Sequence, residues 1–456
     1  MKNKTILFRA DSSSTIGTGH IMRDLVLAQK YAKKGYKIIF GTQNLDGNIN
    51  QKIIEAGYKI EILKNNSFKS LQKVIYKYNP TLLIIDHYGI DYNFEKKLKS
   101  KNQNLKLLAF DDTYEKHYCD ILLNHNISGK PKKYKNLVPK NCKLKCGIKY
   151  TLLRDEFIKE KNKVYQPNKK FTFFVAMGGA DTANLNIKIL KVLKNFKNIK
   201  VNLVTTTANK NLKELQKYCK NKKWIKLHIN STKIAKLIKK SDYAIITPSV
   251  TANELYFIKL PFLAIQTASN QDDMVHYLKN RKYTILNSFT KNILLFELNL
   301  IINKIELINF TKLSKYSSKQ ILKMRNNSNI RKWMYNKNKI KFEDHLNYIK
   351  SLENKDSRLY FLVKQDNENI GVINFTNITN NKAELGIYAN PSLKGQGTIL
   401  LNIIINYGFN ILKLKVLKAN VFITNLKAIN LYKKFGFKTI YKENDLIYME
   451  LENENR

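Results

Sequence analysis

The sequence predicts two α/β domains with parallel sheets, followed by a smaller α+β domain. Its 456 residues are too many for one hydrophobic core. Short apolar runs alternate with amphipathic helical stretches from the N-terminus, and this alternation restarts near residue 165. From about residue 318, polar turns such as DNEN join the apolar runs directly, as in antiparallel sheets. We therefore predict domains over residues 1–160, 165–290 and 318–456, with a linker or a closing helix of the preceding domain over 291–317.

Each predicted element follows from a local pattern. In the first domain the predicted strands are TILFRAD, YKIIFGTQ, YKIEIL, TLLIIDHY, LKLLAFDD and DILLNHN, before a polar stretch, NISGKPKKYKNLVPKNCK. In the second domain they are KFTFFVAMGG, IKVNLVTTT, IKLHIN, SDYAIITPS and LPFLAIQ. In the third domain, KQILKMRNNSNIRKWM and KFEDHLNYIKSLEN predict helices. Antiparallel strands over RLYFLVKQDNENIGVINFTNITNNKAELGIYANP follow, and then a helix, a strand and a helix.

The net charge of the chain is +46, because 81 lysines and arginines face 35 acidic residues. A basic nucleic-acid-binding protein is one interpretation of this charge. The sequence disfavours it, since only eight of the basic residues are arginine, which base and phosphate recognition prefers. The lysines are also spread evenly along the chain. We expect no nucleic-acid partner, although the charge helps to attract an anionic substrate.

Composition also predicts a protein without membrane or metal partners. The chain has no run of about 18 apolar residues, and the apolar run in MKNKTILFRAD is too short for a signal peptide. The four cysteines show no C-x-x-C spacing, and no nearby histidine completes a zinc set around Cys142 and Cys146. We therefore expect a reduced cytoplasmic protein with no metal site.

The first candidate site is RADSSSTIGTGHIMRDL, residues 9–25, where a predicted strand turns into a helix. Ligands of doubly wound sheets bind at this carboxyl end of the strands. Gly17 and Gly19 let the backbone approach a ligand, and Asp11 and three serines supply polar groups. His20 falls near the helix N-terminus, where the dipole favours a neutral imidazole that can act as a general base. Ordinary helix capping is the alternative interpretation.

Four more loops carry ligand-type residues after predicted strands. IIDHYG ends a strand with Asp86, His87 and Tyr88, and AMGGAD places Gly178 and Gly179 before a helix, where phosphate oxygens bind well. TPSVTANELYF opens a helix, and QTASNQDD follows a strand. Each loop, taken alone, also fits ordinary strand-end and capping chemistry.

Together these segments resemble known nucleotide-sugar enzymes. Ligand-type loops from two successive α/β domains are similar to the glycosyltransferase B architecture of two doubly wound Rossmann-like domains. LFRADSSSTIGTGHIMRDLVLA, IIDHY, AMGGAD, TPSVTANEL and SNQ resemble more closely the UDP-sugar hydrolases of pseudaminic acid biosynthesis. Those enzymes cleave UDP-2,4-diacetamido-2,4,6-trideoxy-β-L-altropyranose. The resemblance covers residues 1 to about 290.

This resemblance implies a role for each motif. His20 is implied as the catalytic residue at C1 of the sugar, Tyr88 as the residue that fixes sugar or water, and Asp11 as a pocket-lining catalytic residue. The implied substrate-binding residues are Gly17, Gly19, Arg23, Gly178, Gly179, Ser249, Val250, Glu254, Asn270 and Gln271, with Glu254 on the ribose. UDP is a good leaving group, so no strong acid or metal is required. Attack by water opposite UDP would invert the anomeric centre.

A second candidate site lies in the third domain. IYANPSLKGQGTILLNIIINYGF is a strand, a glycine turn and a helix whose N-terminus suits a pyrophosphate, although an ordinary helix start is the alternative. Together with VFITNLKAINLYKKFGFK, it resembles the GCN5-related N-acetyltransferase family. KMRNNSNIRKWM and KFEDHL are also similar to the N-terminal helices of members that act on amino-sugar nucleotides. The first motif departs from the family pattern, since it begins with Lys394 and ends with Ile399.

The acetyltransferase resemblance implies acetyl-CoA as co-substrate. The implied cofactor-binding residues are Lys394, Gly395, Gln396, Gly397, Thr398 and Asn425. Tyr432 would protonate the departing CoA thiolate. The base for the amine proton is Glu384, His345 or a water chain, and Arg325, Arg331 and His345 are candidates for binding the nucleotide-sugar.

The two resemblances predict one bifunctional enzyme of pseudaminic acid biosynthesis. Acetylation at N4 of UDP-4-amino-4,6-dideoxy-N-acetyl-β-L-altrosamine would precede hydrolysis of the product to UDP and 2,4-diacetamido-2,4,6-trideoxy-L-altrose. One alternative is a glycosyltransferase with a UDP-amino-sugar donor, fused to an acetyltransferase. A sugar of different stereochemistry and a basic nucleic-acid-binding protein are the others.

Overall fold

The computed structural model describes residues 4–453. The chain forms two compact units, Met1–Thr290 and Lys291–Arg456. The first unit holds two parallel sheets and the second a mixed sheet, which confirms the predicted fold class. Within residues 4–453, no helix is long and apolar enough to cross a membrane.

The first sheet has seven parallel strands in the order β3-β2-β1-β4-β5-β6-β7. They are β1 (Thr5–Ala10), β2 (Lys37–Thr42), β3 (Lys59–Ile62), β4 (Leu82–Asp86), β5 (Lys106–Phe110), β6 (Ile121–Asn124) and β7 (Lys143–Cys146). The sequence did not predict β7, because its KLKC lies in a polar, lysine-rich stretch. The strand order reverses between β1 and β4, and such a reversal opens a ligand crevice at the carboxyl ends.

In the described chain, four helices accompany this sheet: α1 (Gly19–Ala32), α2 (Asn50–Glu55), α3 (Phe68–Tyr78) and α4 (Tyr92–Lys101). The next helix, α5 (Asp155–Glu160), packs through Phe157 into the core of the second sheet. The apolar residues of the sheet form two separate clusters, one with Ile6 and Phe8 and the other with Leu7. Since neighbouring residues of a strand point to opposite faces, both faces of the sheet are covered. This explains why every residue of β1 is buried.

The second sheet repeats this plan with six parallel strands in the order β10-β9-β8-β11-β12-β13. They are β8 (Phe171–Ala176), β9 (Ile199–Thr205), β10 (Ile225–Ile229), β11 (Tyr243–Ile246), β12 (Phe262–Ile265) and β13 (Thr284–Leu286). Its helices are α6 (Asn186–Leu193), α7 (Leu212–Cys219), α8 (Ile234–Lys239), α9 (Val250–Ile258) and α10 (Asp272–Lys279). The order reverses again, between β8 and β11.

The second unit is built on a mixed sheet in the order β14-β15-β16-β17-β18-β20-β19. The strands are β14 (Ile305–Asn309), β15 (Leu359–Gln365), β16 (Glu368–Thr376), β17 (Lys382–Ala389), β18 (Val416–Phe422), β19 (Lys438–Glu443) and β20 (Leu446–Glu452). Its helices are α11 (Lys291–Ile302), α12 (Lys315–Asn326), α13 (Ser328–Arg331), α14 (Phe342–Ser351), α15 (Gln396–Asn406) and α16 (Leu426–Lys434). The β15–β16 turn uses Asp366 and Asn367 at positive φ, as the DNEN pattern predicts.

The prediction of a linker or closing helix over residues 291–317 is wrong. β14 pairs antiparallel with β15 and is the edge strand of the third sheet. Phe296 of α11 belongs to the buried core of the same unit. The apolar residues of this segment are therefore covered by the second unit, to which the segment belongs.

The parallel pair in the third sheet separates along its length. β17 pairs with β18 only from Lys382–Glu384 to Val416–Lys418. Beyond these residues both strands continue without pairing to one another, so a gap opens towards Ala389 and Phe422. The helix N-terminus of α15 follows β17, and α16 follows β18, so both candidate cofactor motifs border this gap.

Candidate active sites

The switch point of the first sheet brings together two motifs that are distant in sequence. Ala10 and Asp86 are paired at the carboxyl ends of β1 and β4. His20 is the second residue of α1, which follows β1. His20 and Asp86 therefore meet at one edge of the sheet.

Asp86 orients the ring of His20. The His20 Nδ1 lies 2.7 Å from the Asp86 Oδ1 and 3.1 Å from the Asp86 carbonyl oxygen. Because both partners are acceptors, Nδ1 carries the hydrogen of the neutral ring and Nε2 keeps its lone pair. The Tyr88 ring meets the imidazole edge-on, with centroids 5.0 Å apart. This arrangement makes Nε2 a proton acceptor, as general-base catalysis requires.

Arg23 fixes the opposite side of Asp86. Its Nε and Nη2 each lie 2.5 Å from an Asp86 oxygen, and its Nη1 lies 3.2 Å from Asp112. Burial alone would raise the pKa of Asp86, but Arg23 and His20 hold that pKa well below its usual range. The Arg23 side chain is only 6% exposed. The structure therefore corrects the prediction that Arg23 binds substrate, because its nitrogens are committed to positioning Asp86.

Tyr88 lies where the two parallel-sheet domains of the first unit approach one another. Its hydroxyl donates to Asp112 at 2.8 Å and accepts a long hydrogen bond from Asn270 at 3.4 Å. Burial, and then the charge of Asp112, raise the pKa of Tyr88. Tyr88 is nevertheless 55% exposed, so it is open to a ligand. The structure thus brings together His20, Tyr88 and Asn270, which sequence analysis grouped only by resemblance.

Asp11 lies beneath the site rather than in it. Its carboxylate is 1% exposed and accepts two hydrogen bonds of 2.7 Å from Arg9. The Gln43 amide donates to it at 2.7 Å, and the His87 Nε2 lies 3.1 Å away. Burial opposes ionisation, but His87 and Arg9 lower the pKa of Asp11 below its usual range. The predicted pocket-lining role of Asp11 is corrected: its oxygens anchor neighbouring residues.

The glycines of the first motif border open space. Gly17 has a φ of +88° and exchanges backbone hydrogen bonds with Ser13, a conformation that favours glycine. Gly19 has ordinary backbone angles, and a Cβ built on it would meet no atom within 4 Å. The N-terminus of α1 is therefore accessible to a ligand.

The glycine turn after β8 touches the first motif across the cleft between the two parallel-sheet domains. The Gly179 carbonyl accepts hydrogen bonds from Thr205 Oγ1 at 3.0 Å and from Thr206 Oγ1 at 2.9 Å. A Cβ on Gly179 would lie 2.6 Å from Thr18 Oγ1, so the close approach requires glycine. Gly178 adopts a φ of +78°. A cavity of about 270 Å³ lies beside this contact, lined by Ser14, Thr15, Ala180, Asp181, Thr182, Lys210 and Asn211.

The start of α9 and the segment before α10 hold the remaining predicted substrate residues. Ser249 precedes α9 in extended conformation, and Val250 is the first helical residue. The Glu254 Oε1 accepts from Arg154 Nη2 at 2.7 Å, and burial raises the pKa of Glu254 despite that arginine. Gln271 exchanges hydrogen bonds with Thr267. The ribose role of Glu254 stays a prediction, with Arg154 as a partner that the sequence did not reveal.

The gap between β17 and β18 defines the second site. Gly395, with a φ of +80°, precedes α15, and Gln396, Gly397 and Thr398 form its first turn. The first amides of a helix lack intrahelical acceptors and suit an anionic group. Lys394 precedes this turn on an exposed bend. The Asn425 side chain caps α16 by accepting from the Ala428 amide at 3.3 Å, so its side chain shapes the other border of the gap.

Tyr432 and Glu384 lie near one another at this gap. Tyr432 is buried and packs against Phe437 with ring centroids 5.2 Å apart. Burial, and then the charge of Glu384, raise the pKa of Tyr432, so the hydroxyl keeps its proton. Glu384 is the last residue of β17 that pairs with β18, and burial raises its pKa as well. A protonated phenol beside a carboxyl group supplies one acid and one candidate base.

The basic residues predicted for substrate lie on α12, α13 and α14. Arg325 donates to the Asn336 carbonyl at 2.8 Å, while its Nη1 is buried without a partner in the described chain. Arg331 ends α13. His345 is 6% exposed and packs against Phe310, on the opposite face of the sheet from Tyr432. This placement corrects His345 as a candidate base and leaves Glu384 or a water chain.

A further charged network supports the loop after β5. The buried Glu95 lies 2.8 Å from His117 Nδ1, and Asp111 lies 3.8 Å from His117 Nε2. Burial disfavours the imidazolium, but Asp111 and Glu95 outweigh this effect and raise the pKa of His117 to about 10. Tyr134 donates to Asp111 at 2.7 Å, which connects the network to the loop before β7.

We expect the His117→Gln variant to lose stability in a pH-dependent way. Because the folded-state pKa of His117 is raised, the imidazolium stabilises the fold fully below about pH 6.5. This contribution disappears as pH rises through about 10. The difference in melting temperature between wild type and variant should therefore shrink from neutral to alkaline pH. The exposed His276→Gln variant is the control, and a pH-independent difference for His117→Gln would contradict the expectation.

In the described part of the chain, no group of three or more His, Cys, Asp and Glu side chains could hold a metal ion.

Both regions of the chain are similar to known proteins. The model of the acetyltransferase (GNAT) family matches residues 326–437. The N-terminal region is 40% identical to the UDP-2,4-diacetamido-2,4,6-trideoxy-β-L-altropyranose hydrolase of Campylobacter jejuni over 280 residues, 61% of this chain and 98% of the relative. The chain is also 48% identical to the acetyltransferase PseH of the same species, over 144 residues that make up 32% of this chain and 90% of the relative.

The chain belongs to both of these enzyme families. It is an enzyme that joins a hydrolase region to an N-acetyltransferase region. A crystal structure of Campylobacter jejuni PseH in complex with acetyl coenzyme A is 42% identical, with a TM-score of 0.29, and covers 33% of this chain and 99% of that one.

Sequence analysis missed three residues around the hydrolase site. Asp86 was named among the ligand-type residues without a role at the site, and Asp112 and Arg154 were not considered. Asp86 could have been found, because the carboxyl ends of adjacent parallel strands meet at one edge. Asp112 and Arg154 lie in loops whose course the sequence pattern does not fix.

Proposed function

We propose that the chain catalyses two consecutive steps of pseudaminic acid biosynthesis. The acetyltransferase region transfers an acetyl group from acetyl-CoA to N4 of UDP-4-amino-4,6-dideoxy-N-acetyl-β-L-altrosamine. The hydrolase region then releases UDP and 2,4-diacetamido-2,4,6-trideoxy-L-altrose. The observation that carries the proposal is the Asp86-oriented His20 at the switch point, in a chain whose relatives are named for a UDP-sugar hydrolase and an acetyltransferase.

In the hydrolase step, His20 Nε2 accepts a proton from water that attacks C1 of the sugar. Asp86 stabilises the imidazolium that forms, because its carboxylate lies 2.7 Å from Nδ1. Tyr88 and Asn270 flank the position of the sugar. The backbone of the glycine turn at Gly178 and Gly179 and the start of α9 after Ser249 stabilise the charge that develops on the departing diphosphate. Attack opposite UDP gives inversion at C1.

In the acetyl-transfer step, the amides at the start of α15 hold the pyrophosphate of acetyl-CoA, and the pantetheine chain enters the gap between β17 and β18. The amine nitrogen attacks the thioester carbonyl and loses a proton to Glu384, directly or through water. Tyr432 protonates the CoA thiolate as it leaves, since its raised pKa keeps the phenol protonated. Arg325 and Arg331 bind the diphosphate of the nucleotide-sugar.

Mass spectrometry of one reaction tests both steps. The purified protein receives the UDP-4-amino sugar, with and without acetyl-CoA, in water enriched in oxygen-18. The proposal predicts a free diacetamido sugar only with acetyl-CoA, with the label at C1. Acetylation without UDP release would favour the alternative, a glycosyltransferase that awaits an acceptor. Absence of both products would refute the assigned substrate, and a screen of other UDP-amino sugars would follow.

The Tyr432→Phe variant tests the acid of the acetyl-transfer step. We expect acetyl transfer to slow by about 10²-fold or more, because the CoA thiolate loses its proton donor. UDP release from the pre-acetylated sugar should be unchanged. Detection of free CoA with a thiol reagent measures the first rate. Tyr441→Phe, at a 49% exposed position, is the matched control, and a wild-type rate for Tyr432→Phe would assign the proton to another group.

A further inference from the structure

Two cysteines lie side by side at the edge of the first sheet that is remote from His20. Cys119 lies two residues before the start of β6, and Cys142 directly precedes β7. These strands are parallel neighbours, with Ile121 opposite Lys143, so the residues before them are also adjacent. The two sulfur atoms are 3.7 Å apart, and both thiols are free.

The two thiols differ in exposure and in acidity. Cys119 is buried at 4% exposure, whereas Cys142 is half-buried and reachable from solvent. The hydrogen bond from Cys119 lowers the pKa of Cys142, and the same contact raises the pKa of Cys119. The more accessible sulfur is therefore also the better nucleophile, since the thiolate is the reactive form.

We propose that Cys119 and Cys142 form an oxidation site that closes to a disulfide with a two-electron oxidant of the peroxide class. The Cys142 thiolate attacks one peroxide oxygen, the O–O bond breaks, and a sulfenic acid forms at Cys142. The Cys119 thiol then attacks that sulfur, loses its proton and displaces water. With hydrogen peroxide, two thiols and one peroxide give one disulfide and two waters.

The geometry needs only a short movement. A disulfide bond is about 2.05 Å long, so the sulfur atoms must approach by less than about 2 Å. Both cysteines lie at strand starts, where side-chain rotation can supply this movement without disrupting the β6–β7 pairing. Cys119 thus resolves the sulfenic acid before further oxidation, as a neighbouring thiol does in redox-sensitive sites.

The disulfide would link the two ends of the segment over residues 119–142, which contacts the second parallel-sheet domain. In this segment the Ile127 amide donates to Asn253 at 3.1 Å, and Lys133 pairs with Asp273 at 2.5 Å. Asn253 lies on α9, next to Glu254, and Asp273 lies on α10. Oxidation therefore restricts a loop that contacts two helices of the proposed UDP-binding domain. The disulfide itself can form whichever substrate the enzyme uses.

Peptide mapping of the full-length protein tests the inference. The native protein is treated with hydrogen peroxide, remaining thiols are blocked with N-ethylmaleimide, and the protein is digested with trypsin. Lysines around the cysteines place Cys119 in HYCDILLNHNISGKPK, Cys142 in NCK, Cys146 in CGIK and Cys219 in YCK. The expected product is HYCDILLNHNISGKPK linked to NCK, lighter by two hydrogens than the two thiol peptides, and lost after dithiothreitol.

Two variants sharpen the result. Cys119→Ser should remove the cross-link and leave Cys142 as a sulfenic or sulfinic acid, whereas Cys219→Ser should leave the cross-link unchanged. Cys219 is a suitable control because it is half-buried and pairs with no cysteine among the described residues. A Cys142–Cys146 link would overturn the inference. So would a map in which peroxide has oxidised Cys219 while Cys119 and Cys142 both still carry N-ethylmaleimide. The wild-type map decides the question even if a variant fails to fold.

Discussion

Replacement of His20 by leucine is expected to lower UDP release by about 10²- to 10⁴-fold, the range that general acid–base catalysis supplies. Leucine preserves apolar volume beside Tyr88 but removes Nε2, the proposed acceptor of the water proton. It also removes the Nδ1 donor to Asp86, which lies 2.7 Å away in the wild type. Acetyl transfer should continue at the wild-type rate, because the acetyltransferase site uses other residues.

The measurement follows UDP by chromatography with the diacetamido sugar nucleotide as substrate, and CoA in a parallel assay. His276→Leu is the matched control, since His276 is exposed on α10 and bonds only to Asn280 in the described chain. If His20→Leu released UDP as fast as His276→Leu, His20 would have no part in the mechanism. Loss of both activities would indicate a folding defect, which a melting curve would reveal.

Replacement of Asp86 by asparagine is expected to damage both stability and hydrolysis. The Asp86 Oδ1 accepts from His20 and Arg23 Nη2, while the Oδ2 accepts from Arg23 Nε. The asparagine amide has one oxygen that accepts and one NH₂ group that only donates. Its NH₂ group must therefore face a donor of Arg23 or His20. Arg23 would then keep a buried charge that Asp86 no longer neutralises, at a cost of about 3–5 kcal/mol.

Hydrolysis should fall by about 10⁴-fold, by analogy with other histidines that lose the carboxylate that orients them. The stability difference from wild type should also depend on pH. The folded-state pKa of Asp86 is lowered, so its stabilising effect is present above about pH 4 and is lost as pH falls through the folded-state value. Melting temperatures of the variant and wild type should therefore converge in acid.

Asp155→Asn is the control for this variant. Asp155 pairs with Lys33 at 2.7 Å, but both side chains are largely exposed. Exposed pairs contribute about 0–1 kcal/mol, so this variant should stay close to wild type in melting temperature and in UDP release. Equal effects of the two substitutions would contradict the proposed role of Asp86.

Local patterns in the sequence determined most elements of this protein. The apolar runs that predict strands became the central strands, because burial on both faces requires nearly continuous apolar sequence. The failures lie where that requirement is weak. The edge strand β7 alternates lysines with apolar residues, and β14 lies in the segment predicted as a linker or closing helix. The sequence patterns also did not predict β13, β19 and β20.

The sequence alone also named several candidate site residues that the structure brings together. His20, Tyr88 and Asn270 were grouped by resemblance, and the structure places them around one cleft. The glycine motifs were informative because glycine favours the positive φ of Gly17 and permits the close contact between Gly179 and Thr18. Such constraints are local, so a short motif records them.

The division of roles among charged residues was decided only by tertiary structure. Asp11 follows β1, Asp86 ends β4 and Arg23 lies within α1. Sequence alone made each of them a possible ligand-binding residue. Folding buries all three and pairs Arg23 with Asp86 and Arg9 with Asp11. A buried charge must be neutralised by a partner. Arg9 and Asp11 are only two residues apart, but the packing of β1 beside β4 brings Asp86 to Arg23 from 63 residues away. The sequence therefore determined which chemistry the chain carries, and the fold determined that Asp86 orients His20 while Asp11 and Arg23 hold the frame around it.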